Sequence, residues 1–466
     1  MATRAHTDST RLLARTLVLA ALWCAAADAQ AAPDNNDTTS RSFTEQLADR
    51  LYWGGQITVI SQQLFKFHSP YAGPNSLRSE QANEVSHTYT LYAGIRLLPS
   101  IECYINPEMA RGGALSDTLG LAGFTNGDVI RNPDIGSDPY LARYFVRWTI
   151  ATGEGHEHVE RAQNRMAGER PLHRLVITAG KLSTADIFDL NGYANSTRVQ
   201  FMNWALINSA AYDYAADTRG YTHGIAVEWI HPDWAVRLGA FQMPKIPNGP
   251  NLSNDLIDNR GDQAEVEVHP HLLGGEHDPL VARLLGYRNL AHMGDYRDAL
   301  ELGRQMHTAP NIRATERTGA AKYGFGLSLE QPLADDGATG VFARWGWNDG
   351  ATETFAYTEA DRTATIGGQL SGAWWWRPPD HVALALVQND LSTPHSDYLA
   401  AGGLGFILGD GRLHYGSERI LETYYTLQPF DLVGLSLDYQ LIDHPGYNRD
   451  RGPVSVVSLR LHIERS

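Results

Sequence analysis

The chain has 466 residues, a formal net charge of −15 and 10% aromatic residues. That length is enough for two or three ordinary domains or for one large barrel. The acidic balance argues against a nucleic-acid partner, and the two cysteines, Cys24 and Cys103, are too few for a disulfide framework or a cysteine-based metal cluster.

The first 31 residues have the pattern of a signal peptide. An apolar run over 17–27 is followed by the small-residue motif Ala29-Gln30-Ala31, where we expect cleavage. Three arginines precede the apolar run: Arg4, Arg11 and Arg15. Cleavage would remove three arginines and two aspartates, so the formal charge would change from −15 to −16. No later run of 18 apolar residues exists, which excludes a transmembrane helix.

The next segment, 32–53, is polar at its start and then predicts a short helix. Ser42 and Glu45 form a capping-box pattern that opens the sequence SFTEQLADRL. From residue 54 onward the pattern changes to strands.

Apolar and polar residues alternate in these strands, as in the last hairpin, where Leu435, Leu437 and Tyr439 share one face. A period of two places successive side chains on opposite sides of a sheet. We predict sixteen strands, the even number that a closed antiparallel barrel with both termini at one end requires. Their predicted spans are 54–65, 86–98, 100–108, 139–151, 173–183, 220–230, 234–243, 262–269, 279–288, 321–330, 340–348, 363–374, 381–388, 418–428, 431–442 and 454–464.

The connections between these strands are sorted by length. At one end of the predicted barrel most connections are tight turns with proline, expected at 98–100, 231–233, 331–333, 377–380 and 428–430. The alternate connections are long: 66–85, 109–138, 184–219, 289–320 and 389–417. This asymmetry is typical of outer-membrane barrels, whereas a soluble sandwich gives no reason for it. One segment, 152–172, is long where a short turn is expected.

These features predict an all-β fold, a transmembrane antiparallel β-barrel of sixteen strands. We also expect short periplasmic turns, long extracellular loops and one loop folded into the lumen. The predicted organisation is a signal peptide over 1–31, a periplasmic N-terminal segment over 32–53 and the barrel over 54–464. Aromatic residues near strand ends suggest interfacial girdles: Trp229, Trp234, Trp374, Trp375, Trp376, Tyr424, Tyr425 and Phe430.

The alternation also predicts which side chains face the lumen, because a charge on the lipid side at mid-depth costs ~2–4 kcal/mol. On strand 139–151, Ala142 and Tyr144 are expected outward, and Arg143 and Arg147 inward. The inward set on neighbouring strands comprises Arg96, Glu102 and Glu108. Glu228 and Arg237 face each other across the 231–233 turn, either as solute contacts or as an ion pair that joins two strands.

The 184–219 loop is the candidate constriction. It is too long for a turn, and its aromatic content suggests an ordered loop folded into the barrel. The buried side chains would then be Phe188, Phe201, Met202 and Trp204. Polar residues that could narrow the pore and contact solute are Asp186, Asp189, Arg198, Gln200 and Asn203. The alternative is an external loop packed on itself.

Several long stretches resemble the carbohydrate-selective porins of Gram-negative bacteria, the OprB-type family. The stretches that carry the resemblance are 68–77, 90–109, 115–128, 175–189, 201–229 and 445–464. The resemblance implies a sixteen-stranded outer-membrane barrel, passive diffusion of sugars and an arginine-rich eyelet. It places Arg96, Glu102, Glu108, Arg143 and Arg147 in the pore lining, and Lys181 and Asp186 at the base of the inward loop.

The function expected is passive, substrate-selective diffusion of carbohydrates, such as glucose and similar polyhydroxyl solutes, through the outer membrane. The residues expected to contact solute are Arg96, Glu102, Glu108, Arg143, Arg147, Lys181, Asp186, Asn203, Trp204 and Arg237. The expected partners are small sugars, outer-membrane lipid and the barrel-assembly machinery, while monomer and homo-oligomer both stay open. No cofactor, metal or nucleic acid is expected.

Three other functions are alternatives to this expectation. An arginine-rich lumen would also suit a general or anion-preferring porin. A hydrolase in the same barrel lacks a G-x-S-x-G or HExxH motif, and the histidines of HEHVE at 156–160 are only two residues apart. A secreted, soluble saccharide-binding β-protein would not sort its connections by length.

Overall fold

The computed structural model describes residues 50–129, 136–272 and 278–465. The predicted signal peptide and the helix predicted from Ser42 lie outside these ranges. The strands are β1 Leu51–Leu64, β2 Ala82–Leu98, β3 Ile101–Gly112, β4 Tyr140–Ala151, β5 His156–Val159, β6 Gly168–Pro171, β7 Arg174–Leu182, β8 Thr222–Ile230, β9 Trp234–Gln242, β10 Arg260–Val268, β11 Val281–Met293, β12 Arg317–Ala334, β13 Thr339–Asn348, β14 Arg362–Ser371, β15 His381–Asp390, β16 Glu418–Phe430, β17 Val433–Asp443 and β18 Val454–Arg465. The α-helices are α1 Trp204–Ile207, α2 Tyr296–Met306 and α3 Thr393–Ala400.

Sixteen of these strands close into one antiparallel barrel, in the order β1-β18-β17-β16-β15-β14-β13-β12-β11-β10-β9-β8-β7-β4-β3-β2. The first and last strands pair from Gly55 opposite Arg465 to Leu64 opposite Val456. Closure leaves the wall without a free strand edge. The predicted strand number and fold class are confirmed, and no predicted boundary differs by more than five residues from the observed one.

The predicted sorting of connections by length is confirmed for most of the barrel, and the exceptions are 152–173 and 269–280, which are long although they lie at the end with the short turns. One end of the barrel, the loop end, carries the long connections 65–81, 113–139, 183–221, 243–259, 294–316, 349–361, 391–417 and 444–453. At the other, the turn end, the tight turns at 331–333 and 428–430 are corrected to 335–338 and 431–432. Pro332 and Pro429 lie within the last residues of β12 and β16, beside register shifts. Proline has no N–H for the ladder, so it is tolerated at such irregular strand ends.

The outer face of the barrel is apolar, as the alternation predicted. Exposed outward side chains include Trp148, Leu238 and Leu459. No helix in the described ranges is both long and apolar enough to cross a membrane.

Two outward assignments were wrong. Ala142 is fully buried while Leu141 is exposed, because a bulge opposite Asn106 and Pro107 shifts the register of β4 against β3. Tyr424, expected in a girdle, is buried on the lumen side with its ring 5.0 Å from that of Phe201.

The largest apolar cluster of the described residues lies in the lumen, and side chains of the 183–221 loop form part of it. Phe188, Phe201, Leu206 and Tyr212 of this loop are buried inside the barrel wall. The prediction that the loop folds inward is confirmed, and the alternative of an external loop is wrong. A second buried cluster at the loop end packs α2 and α3 together, with Tyr296 and Tyr398 in contact.

Candidate functional site

The inward loop is fixed to the wall because buried charged side chains bind its backbone. On one side, Arg344 of β13 donates to the carbonyl oxygens of Leu206 and Asp189 at 2.8 and 2.9 Å. Glu265 of β10 accepts the Asp189 N–H at 2.7 Å. These two buried charged side chains bind backbone groups of the loop, and the bonds hold the middle of the loop in one position.

The opposite wall holds the same loop from the other side. Arg460 of β18 donates to the carbonyl oxygens of Thr197 and Gln200 at 2.6 and 2.5 Å. Glu422 of β16 accepts the Met202 and Asn203 N–H groups at 2.5 and 3.1 Å. The loop therefore crosses the barrel, and the open part of the lumen lies on the side formed by β15–β18 and β1–β4.

At the start of the loop, a capping box positions a carboxylate for an arginine of the wall. Ser183 begins the short 3₁₀ turn Thr184–Asp186, and its N–H is bound by Asp186 Oδ2 at 3.1 Å. The same carboxylate accepts two hydrogen bonds from Arg143, 2.7 Å from Nε and 2.6 Å from Nη2. This bidentate pair fixes the geometry of both side chains, and the Asp186 side chain stays 36% exposed.

Arg198, near the middle of the loop, pairs with the facing wall. It donates from Nε to Asp128 at 2.7 Å, from Nη1 to Thr90 at 2.9 Å and from Nη2 to Glu108 at 2.9 Å. Each of these bonds uses a different nitrogen of the planar guanidinium, so the side chain has little freedom left.

Glu108 of β3 accepts hydrogen bonds from the hydroxyl groups around it. It accepts hydrogen bonds from Thr90 at 2.6 Å, Tyr140 at 2.6 Å and Tyr221 at 3.1 Å, besides that from Arg198. The Tyr221 ring also lies 5.0 Å from the Arg143 guanidinium carbon. Glu108 thus connects the two arginine pairs through tyrosine.

Lys181, near the end of β7, contacts the last part of the inward loop. Its Nζ donates to the Leu141 carbonyl oxygen at 3.0 Å and lies 3.8 Å from Asp217. Burial raises the pKa of the Asp217 carboxyl above its ordinary value, an effect that Lys181 opposes.

Arg143, Asp186, Arg198 and Glu108 line a cavity of about 500 Å³. Its ionisable lining consists of three arginines and four carboxylates: Arg143, Arg198, Arg219, Glu108, Asp128, Asp186 and Glu464. Counted over the described residues, the formal charge of the lining is therefore −1, and hydrogen-bond donors and acceptors are interleaved around the space.

Of the residues predicted to contact solute, Glu108, Arg143 and Asp186 line this cavity. Lys181 does not line it, but its Nζ lies 5.9 Å from the ring of Tyr221, which does. Arg96, Glu102 and Arg147 lie nearer the turn end, against the β5–β6 hairpin. Glu102 is 3.1 Å from Arg96, and Arg147 donates to the Asn164 carbonyl oxygen at 2.8 Å.

The other three predicted residues are buried in packing contacts. Arg237 bonds Glu228, Glu265 and Glu267 at 3.1, 3.0 and 3.0 Å, so the structure pairs it across three neighbouring strands.

Asn203 donates to the Gly123 carbonyl oxygen at 2.8 Å. The Trp204 ring stacks on Tyr357 with centroids 6.1 Å apart. Neither residue is among those that line the cavity.

The aromatic part of the cavity was not predicted. Tyr140 is the ladder partner of Glu108, but strict alternation through Ala142 would place it outward, and the bulge reverses this. Tyr221 is the last residue of the loop before β8, and strict alternation from the inward Glu228 would place it outward. Arg198 was predicted as a loop residue that could contact solute, but it was not in the final set of expected solute contacts.

Residues 74–464 match the family described as "Carbohydrate-selective porin, OprB family". Among solved structures, the high-pH structure of Pseudomonas putida OprB matches with a TM-score of 0.68 and 16% identity, covering 91% of this chain and 96% of that one. The outer membrane channel DcaP of Acinetobacter baumannii matches with a TM-score of 0.47 and 10% identity, covering 89% and 97%. A comparison with curated protein sequences gave no significant match.

Proposed function

The chain belongs to the carbohydrate-selective porin (OprB) family, and we propose that its cavity at Arg143 and Arg198 is the eyelet where neutral polyhydroxyl solutes bind in transit. As a family member, the protein is an outer-membrane porin for passive diffusion of carbohydrates. It is a channel rather than an enzyme, and its loop end faces the outside of the cell.

The balance of charge in the cavity is the observation that supports this proposal. Arg143 is paired with Asp186, and Arg198 with Glu108 and Asp128. The described residues of the lining include three arginines and four carboxylates, so they carry no excess of positive charge that would favour an anion. A sugar offers many donors and acceptors and no net charge, and the forked guanidinium and carboxylate groups can replace its hydration shell.

Selectivity in such a pore comes from weak binding at several points rather than from one tight site. Solute must enter and leave, so hydrogen bonds to the arginine and carboxylate groups replace water and are given up again. The Tyr140 and Tyr221 rings supply apolar surface for the flat faces of a sugar ring. A volume of about 500 Å³ suits a monosaccharide such as glucose.

Liposome swelling tests the proposal. The wild-type channel should admit glucose faster than amino acids of similar size and faster than small organic anions. Arg143→Gln removes the fork that binds Asp186 and should raise the glucose half-saturation constant roughly 10-fold, since a hydrogen bond to a charged group contributes about 1.5 kcal/mol or more.

Arg78→Gln is the matched control, because Arg78 forms an ion pair with Asp117 at 3.0 Å on the exposed surface. Equal rates for sugars, amino acids and anions in the wild type would contradict sugar selectivity. An unchanged half-saturation constant in Arg143→Gln would contradict the placement of the eyelet.

Processing and assembly are part of the same proposal. Residues 1–31 would be cleaved after export, leaving 32–53 in the periplasm and 54–464 as the barrel, and N-terminal sequencing of the purified mature protein tests this. Insertion by the barrel-assembly machinery is likewise proposed. Light scattering in detergent would distinguish a monomer from a homo-oligomer.

A further inference from the structure

The connection between β4 and β7 folds into the lumen instead of forming a short turn at the turn end of the barrel. Its strands β5 and β6 pair from His156 opposite Pro171 to Val159 opposite Gly168. Beyond them, Ala162 and Arg165 exchange backbone hydrogen bonds of 3.1 and 2.9 Å, which leaves Gln163 and Asn164 as the two residues of a tight turn. Asn164 has φ 55°, in the left-handed region that asparagine tolerates.

Side chains of the barrel wall bind this tip from the inside. Tyr52 donates to the Ala162 carbonyl oxygen at 2.8 Å and accepts the Asn164 N–H at 3.2 Å. Asn106, fully buried on β3, donates to Asn164 Oδ1 at 2.9 Å, and Arg147 donates to the Asn164 carbonyl oxygen at 2.8 Å. Three wall residues converge on one turn, so the tip has a defined position in the lumen.

Ion pairs hold the rest of the hairpin. Glu102 lies 3.1 Å from Arg96 of the wall and 3.6 Å from Arg170 of the hairpin. Arg174 donates to Glu157 at 2.7 Å. The charged wall residues that were expected to line the pore at this depth therefore form ion pairs and hydrogen bonds with the hairpin instead.

The tip reaches the eyelet cavity, which Ala162 and Gln163 line together with Arg198 and Glu464. A second cavity, of about 380 Å³, continues toward the turn end and shares Arg198, Val199 and Glu464 with the first. The two cavities meet between Arg198 and Val199 of the inward loop and Glu464 of β18, whereas Ala162 and Gln163 of the tip border only the first. Solute in the first cavity is therefore in reach of the tip before it passes to the second.

We infer that the hairpin tip is a second constriction on the turn side of the eyelet and that Gln163 is a solute-contacting residue that sets selectivity there. Within the described residues the Gln163 amide makes no hydrogen bond, although it stands at the apex of a fixed turn. An uncharged amide offers two donors and one acceptor oxygen, which suits sugar hydroxyls. The sugar contact rests on the proposed function, whereas the position of the tip in the conduction path does not.

Cysteine modification tests the position. Gln163→Cys is made in a Cys103→Ser background, since Cys103 is the one cysteine of the chain beyond residues 1–31. A charged, water-soluble methanethiosulfonate reagent should lower the single-channel ion conductance of this variant. Glu154→Cys is the matched control, because Glu154 is exposed on the same hairpin segment and lines neither cavity. Complete labelling of Gln163→Cys with unchanged conductance would overturn the second constriction.

Sugar block of the ion current tests the contact. Gln163→Ala should raise the glucose half-saturation constant about 2- to 10-fold, the loss expected for one neutral hydrogen bond. An unchanged constant in Gln163→Ala, with a raised one in Arg143→Gln, would overturn the role of Gln163 and leave the eyelet in place. Unchanged constants in both variants would instead indicate failure of the proposed eyelet itself.

Discussion

Replacing Arg198 with methionine tests how the inward loop is held at the eyelet. Methionine keeps much of the side-chain length but loses the guanidinium, with its hydrogen bonds of 2.7 Å to Asp128, 2.9 Å to Thr90 and 2.9 Å to Glu108. The Glu108 and Asp128 side chains are each only 3% exposed, so water replaces the lost partner poorly.

The expected loss is about 3 kcal/mol in the free energy of unfolding. Removing one partner of a buried ion pair costs roughly 3–5 kcal/mol. The lower end applies because Glu108 keeps the hydroxyl donors of Thr90, Tyr140 and Tyr221. A loss of about 3 kcal/mol corresponds to roughly a 150-fold change in an equilibrium constant.

Urea unfolding in lipid vesicles measures this loss, and a double-mutant cycle separates its cause. Glu108→Gln replaces the buried charge with a neutral amide, so Arg198→Met should cost less in that background, with a coupling energy of about 1.5–3 kcal/mol. Arg78→Met removes an exposed pair in which the arginine is 63% exposed, and should cost no more than about 1 kcal/mol.

The conductance of the same variant gives a second result. Arg198 borders both cavities, so Arg198→Met should raise the single-channel conductance and weaken block by glucose. Effects of Arg198→Met and Glu108→Gln that add within about 0.5 kcal/mol, together with unchanged conductance, would refute the reasoning.

Three further predictions follow from the charged groups outside the eyelet. Arg237→Met should lower the free energy of unfolding by about 3–5 kcal/mol without changing the glucose half-saturation constant; a weaker sugar block at unchanged stability would make Arg237 a solute contact. Burial raises the pKa of Glu353, in the 349–361 loop, from 4.5 to about 7, so the folded state binds this proton more tightly than the unfolded state. The stabilising contribution of the protonated carboxyl, about 3 kcal/mol, is present below pH 4.5 and lost as the pH rises through 7. Hydrogen exchange at the Gly294 amide, which Glu353 binds at 2.8 Å, should show this loss of stability after correction for intrinsic rates. Glu353→Gln should abolish the pH dependence. Arg147→Ala removes the 2.8 Å bond to the Asn164 carbonyl oxygen and should raise the conductance by loosening the hairpin tip; the same conductance as wild type would contradict the role of Arg147 in holding it.

Local alternation predicted the barrel well but failed at the bulge. One extra residue on β4, opposite Asn106 and Pro107, reverses the faces of Ala142 and Tyr140 relative to strict parity. Tyr140 thereby becomes a hydrogen-bond donor to Glu108. A bulge depends on how two strands pair, so the sequence of β4 alone does not contain it.

Two arginines on one strand illustrate the same limit. Arg143 and Arg147 both face the lumen, as predicted, but Arg143 binds Asp186 of the inward loop while Arg147 binds Asn164 of the hairpin. Parity assigns a side chain to a face, whereas its partner depends on which distant segment occupies that depth of the lumen.

The sequence by itself determined the number of strands, the apolar outer face, the two kinds of connection and the pairing of the first strand with the last. These properties follow from the period-two pattern and from the need to leave no unpaired edge in a membrane. Only the tertiary structure decided which charges form the eyelet. Arg198 and Glu108 are 90 residues apart in the chain, and their pairing exists because two walls of the barrel hold the inward loop in place. The tertiary structure also decided that the unexpected 152–172 connection enters the lumen, since wall residues Tyr52, Asn106 and Arg147 bind its tip there.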